Sequence, residues 1–162
     1  MKIGHSVLLE PALDEPQGIS RRDVLRGSLG LAGLSSLCCS TPELAPECFR
    51  FEGATVVVDL GRASERLAVG SAVAIVDLSR EVYILVACPE KGRYVALDRS
   101  CTHNYAQCAY NHRRRTLQCT SLNHAEYGLD GTLLHGRTHG NLRAYDTVRS
   151  GSQLVIRLGP RA

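Results

Sequence analysis

The sequence predicts an all-β domain behind a leader that is not itself a domain, and three observations carry that prediction. Short β-branched runs recur at roughly ten-residue spacing from Phe51 onward, and turn residues separate them. No stretch of that region keeps a helical period for three turns. Spacing of this kind belongs to antiparallel sandwiches and barrels.

Each element follows from its own residues. The run 55–58, Thr-Val-Val-Val, stops at Asp59 and Gly61, and the run 72–76 stops at Asp77. The run 82–87 precedes Pro89 and Gly92, residues 94–97 form the next, and residues 154–158 form the last. Three consecutive arginines, Arg113, Arg114 and Arg115, read as a solvated hairpin tip between two loops. At 162 residues there is room for one domain plus an extension, and the division is 1–45 for leader and linker and 50–162 for the β domain. Thr41, Pro42 and Pro46 mark the linker, because closely spaced prolines interrupt regular structure.

Composition narrows the function. A net charge of +3 is too small to argue for nucleic acid. No apolar run reaches the roughly 18–20 residues of a bilayer span. The core is aromatic-poor, with two Phe, six Tyr and no Trp, so a bound metal would add appreciably to its stability. Seven cysteines are too few for a disulfide scaffold and odd in number, which directs attention to metal ligation.

The leader has the build of an address. Arg21 and Arg22 precede an uncharged Gly/Leu/Ala/Ser stretch, residues 27–39, of signal-peptide rather than membrane-spanning length. Residues 20–26, SRRDVLR, resemble the twin-arginine export signal. That resemblance implies export of an already folded, often metal-loaded protein, and hence a bacterial protein in the periplasm or anchored facing it. Cys38 and Cys39 leave lipidation, cleavage and retention as an anchor open, so membrane attachment through this segment stays an option.

Chemistry concentrates between residues 100 and 142, which hold three of the seven Cys and five of the six His. Cys101-Thr102-His103 follows the run 94–97, and Cys119 with His124 follows Thr116-Leu117-Gln118. Each pair sets a thiolate and an imidazole in a turn after a strand. Two thiolates and two imidazoles can hold zinc tetrahedrally, or a [2Fe–2S] cluster with two residues on each iron.

The wider pattern over residues 55–158 resembles the Rieske family. GRYVALDRSCTH, residues 92–103, is similar to the strand that enters that family's first cluster loop, with its Cys-x-His signature. AEYGLDG, residues 125–131, is similar to the aromatic and Asp-Gly turn after the second loop, and residues 134–136 and 142–145 stand where the third loop and final strands belong. The resemblance implies a Rieske-like antiparallel β-sandwich with cluster-binding loops at one end. It also implies a [2Fe–2S] cluster held by Cys101, His103, Cys119 and His124. The second loop departs from the family, with four residues between Cys119 and His124 where two are usual. Asn123 and His139 are therefore the alternatives for the last ligand, while His112 and His135 read as ordinary loop histidines and His5 has no role. The loop-to-loop disulfide of high-potential members is absent, because Ala106 and Ser121 stand at its positions. Cys88 is left either to pair with Cys108 or to remain a buried thiol. Tyr127 stands where its hydroxyl reaches a sulfur, expected to be that of Cys119, whereas Ala125 replaces a second donor; the resemblance then implies an intermediate reduction potential.

The expected function is one-electron transfer, with a redox partner such as a cytochrome or the large subunit of an oxidoreductase, and no substrate chemistry from this chain alone. The alternative is a zinc-binding or metal-free Rieske-like module with a structural or protein-binding role.

Overall fold

A computed structural model describes residues 41–122 and 124–159. The leader, with its arginine pair, His5, Cys38 and Cys39, and the loop residue Asn123 lie outside the described residues. The architecture is all β and antiparallel, as the sequence predicts.

One 3-10 turn, Pro46–Cys48, leads into β1 (Phe49–Glu52) and β2 (Thr55–Asp59). A long connection then brings the chain to β3 (Ala72–Asp77), β4 (Val82–Glu90) and β5 (Arg93–Asp98). Four short strands follow, β6 (Cys108–Asn111), β7 (Thr116–Cys119), β8 (Glu126–Tyr127) and β9 (Leu133–His135). The chain returns through β10 (Ala144–Ser150) and β11 (Gln153–Arg157).

Among the described residues the strands form a seven-stranded sheet, ordered β1-β2-β11-β10-β5-β4-β3, and a four-stranded sheet, ordered β6-β7-β8-β9. Val56 and Val58 of β2, Ile156 of β11, Ile75 of β3 and Ile84 and Val86 of β4 meet in one buried cluster. Strands from opposite ends of the sheet order therefore share a core, so the large sheet curls on itself. A second cluster joins Leu85 and Leu97 of the large sheet to Leu117, Tyr127 and three cysteines of the loop end. It is this second core that carries the site.

Residues 41–46, read from their prolines as a linker, lie along the outer edge of β3. Leu44 N–H donates to Ala74 O (2.7 Å), Ala74 N–H donates to Pro42 O (2.8 Å), and Leu44 itself is buried. The segment thereby covers backbone groups that an edge strand would otherwise present to other chains. The arginine triplet forms the turn between β6 and β7, with Arg115 in the left-handed region (φ 57°). Its tip is not merely solvated, since Arg114 pairs with Glu126 at 3.1 Å and Arg115 pairs with Glu90.

Candidate metal centre

Two loops close on each other at the end of the small sheet. The first, residues 99–107, connects β5 to β6, and the second, residues 120–125, connects β7 to β8. The first is turned tightly: Cys101 N–H donates to Ala106 O (2.7 Å) and Tyr105 N–H donates to Cys101 O (2.9 Å), with Tyr105 at φ 57°. In the second, Cys119 N–H donates to Ala125 O (2.8 Å) and His124 N–H to Ser121 O (3.0 Å), with His124 at φ 45°. The loops are tied together where the Thr120 N–H and hydroxyl both donate to Gln107 O, each at 2.9 Å.

Of the four residues singled out from sequence, three come together. His103 Nδ1 lies 2.8 Å from Cys101 Sγ, and His103 Nε2 lies 3.0 Å from the Ser121 hydroxyl. That hydroxyl is also 3.2 Å from Cys119 Sγ, so Ser121 bridges the imidazole of one loop and the sulfur of the other. Cys101 and Cys119 are buried and His103 is half-buried. The fourth, His124, is exposed and faces a groove of about 970 Å³ that Cys108 and Cys119 also line. His139 is exposed, and His112 is occupied by the Tyr110 hydroxyl, 3.0 Å from its Nδ1.

Tyr127 lies beneath the loops, fully buried, with its hydroxyl 3.1 Å from a cysteine sulfur. The sulfur is that of Cys101 rather than the expected Cys119; the β7–β8 register sets Tyr127 opposite Leu117, two residues before Cys119. Thr102 Oγ1 is 3.3 Å from the same hydroxyl and donates to Gly140 O (3.1 Å), which fastens the third loop to the first. Burial holds the Tyr127 phenol above its ordinary range, so it stays a hydrogen-bond donor at neutral pH.

Cys108 is the residue that the sequence offered only as a disulfide partner for Cys88. The sulfurs of Cys101, Cys108 and Cys119 all lie within 4.8 Å of one another, and all three are buried. Cys108 stands directly opposite Cys119 in the β6–β7 ladder. Burial, followed by the two neighbouring sulfurs, pushes its thiol well above the usual range. Cys88 and Cys108 are not bonded to each other: both are free thiols, and Cys88 donates to Glu90 O (3.2 Å). No local pattern in sequence could have found it, because its place beside Cys119 depends on the β6–β7 register.

No family model and no curated protein matches the chain. Among solved structures it is similar to the plasma-membrane Rieske protein of the cyanobacterium Synechocystis, at 22% identity and a TM-score of 0.47, over 61% of this chain and 91% of that one. It is similar also to the ferredoxin of carbazole 1,9a-dioxygenase from Nocardioides aromaticivorans, at 18% identity and a TM-score of 0.49, over 57% and 89%. A third, dicamba monooxygenase, shares 20% identity at a TM-score of 0.48, and the match spans 59% of this chain and 31% of that one.

Proposed function

We propose that the domain is a one-electron carrier whose loop end holds a Rieske-type [2Fe–2S] cluster. The observation that carries this reading is the convergence of Cys101 Sγ, Cys119 Sγ and His103 Nδ1 from two interlocked loops. Soft thiolate and imidazole donors from separate loops fit such a cluster. Cys101, Cys119 and His103 would hold it, with His124 the sequence's candidate for the fourth place. The cluster, when bound, supplies reversible one-electron chemistry.

The chain's own residues then have definite tasks. Tyr127 aims a hydroxyl at Cys101 Sγ, where a donor stabilises added negative charge. Ser121 fixes the His103 ring by engaging Nε2, leaving Nδ1 toward the sulfur. The loop tips carry Tyr105, 86% exposed, and Leu122, 96% exposed, close in sequence to His103 and Ser121. Two exposed apolar side chains beside a half-buried imidazole suit a transient contact with a redox partner protein. Export to the periplasm rests on the leader residues 20–26 alone.

A second reading, a zinc-binding module, draws support from the three mutually close sulfurs, since a single tetrahedral ion is satisfied by so compact a set. Low-temperature EPR of the anaerobically purified, dithionite-reduced protein, with iron, sulfide and zinc quantified, separates the two. The electron-carrier reading expects a rhombic signal with an average g below that of an all-cysteine [2Fe–2S] protein. A colourless, EPR-silent protein containing zinc refutes it.

A further inference from the structure

We propose that Cys108 is a third sulfur ligand of this centre, so that the donor set is Cys101, Cys108, Cys119 and His103, with the buried Arg99 guanidinium as its counter-charge. The proposal rests on reading this end of the domain as a metal centre and specifies who holds the metal.

Geometry is the first support. A tetrahedral site with metal–sulfur bonds of roughly 2.3 Å has sulfurs about 3.8 Å apart. The three sulfurs here lie within 4.8 Å of one another, so a contraction of about 1 Å or less brings the sulfurs to that spacing, while His103, outside this group, closes in from its contact with Cys101. Cross-strand pairing already sets Cys108 against Cys119, and His103 Nδ1 reaches Cys101 Sγ from the half-buried side. His124 lines the same groove but is exposed and is not among the groups within 4.8 Å of the sulfurs.

Charge is the second support, and it is independent of the sulfur geometry. Arg99 is only 4% exposed, yet among the described residues its Nε and Nη1 meet no hydrogen-bond acceptor. Its Nη2 donates to Thr41 O at 3.3 Å, and its own carbonyl accepts from Cys108 N–H at 2.7 Å. Arg99 and Cys108 line the same groove. Burying a cation is costly, and the negative groups that favour it here are the Glu43 carboxylate and the Cys108 sulfur. Two thiolates and two neutral imidazoles around a group of charge +2 leave nothing for that cation to balance. Three thiolates and one imidazole around a single divalent ion, the group that three mutually close sulfurs fit, leave a net −1, which the guanidinium neutralises. A buried inert thiol at Cys108 would give the Arg99 Nε and Nη1 groups, which meet no acceptor among the described residues, no negative charge to face. Ligation itself is an exchange without oxidation: each thiol loses its proton to solvent as its sulfur bonds the metal.

The test uses cobalt(II) alone, titrated anaerobically into the metal-free full-length protein. Thiolate-to-cobalt charge-transfer absorption scales with the number of bound sulfurs. The expected result is an intensity per bound cobalt in Cys108→Ser that is two-thirds of the native value, with weakened binding, and an unchanged intensity in His124→Ala. Circular dichroism of the metal-free variants checks folding, and Cys108→Ala serves in place of a Cys108→Ser protein that does not fold. Native intensity and affinity in the Cys108 variant would overturn the proposal, as would a native protein that binds no cobalt. The electron-carrier reading fails separately, on the EPR of the iron-loaded protein, so a cobalt result of either sign leaves that question distinct.

Discussion

Replacing Tyr127 by Phe isolates one hydroxyl at the centre of the site. The ring is fully buried against Leu117, Ala125 and the loop cysteines, and Phe keeps that packing. What is lost is a group 3.1 Å from Cys101 Sγ and 3.3 Å from Thr102 Oγ1. Neither partner is orphaned, because Thr102 still donates to Gly140 O and Cys101 Sγ still faces His103 Nδ1. The cost to the metal-free fold is therefore that of one net hydrogen bond, about 1 kcal/mol. For a domain of roughly 120 residues that lowers Tm by about 4 °C. If the site holds the proposed cluster, the same hydroxyl would donate to a sulfur that grows more negative on reduction. If the bond strengthens by about 0.5–1.5 kcal/mol on reduction, its loss lowers the potential by roughly 20–60 mV for a one-electron couple. Thermal denaturation of the metal-free protein and redox titration of the loaded protein read the two effects. An unchanged potential refutes the role given to the hydroxyl. A metal-free destabilisation of about 3–5 kcal/mol, the size expected for deleting an aromatic ring, refutes the claim that Phe preserves the packing.

Two further predictions concern the turn after β8. Gly131 has φ +87°, and a Cβ there would lie 2.2 Å from Leu142 O, so Gly131→Ala destabilises the domain by roughly 2–4 kcal/mol in chemical denaturation. Gly53→Ala, at φ +58° with nothing within 4 Å of the added Cβ, costs only about 1–2 kcal/mol and serves as the control. Asp130 accepts hydrogen bonds from Thr132 N–H (3.0 Å) and Thr132 Oγ1 (2.9 Å), and these hold its carboxyl below the usual range. A depressed folded-state pKa means that its contribution is present above pH ~4 and lost as pH falls through the lower folded value. The stability gap between native protein and Asp130→Ala is thus expected to narrow on acidification, and a gap independent of pH counts against the ionised turn.

The strands legible in sequence are those whose residues are apolar for reasons of position. β2, β3 and β4 show continuous Val, Ile and Leu runs, and their central residues are buried without alternation. Only the start of β10 is legible, within residues 142–145, because along the strand Tyr145, Thr147 and Arg149 alternate with Ala144, Asp146 and Val148 and none is fully buried. β8 and β9, with two and three residues, are too short to carry a period; they exist because the small sheet pairs them to β7.

The site divides along a different line. Cys101, His103 and Cys119 stand out because Cys-x-His after a strand is a local pattern, and local patterns survive in one dimension. Cys108 belongs to no such pattern, since its importance is a matter of register. A one-residue slip between β6 and β7 would turn it to the opposite face, and only the observed pairing, Cys108 against Cys119, sets its sulfur among the other two. Arg99 is hidden for the same reason. In sequence it is one arginine among many beside a cysteine loop, and only its burial, with Nε and Nη1 meeting no acceptor among the described residues, sets it apart. The longer second loop becomes intelligible on this footing. If the third thiolate comes from β6, the second loop need not return an imidazole to the centre, and the extra residues between Cys119 and His124 carry no penalty in ligation.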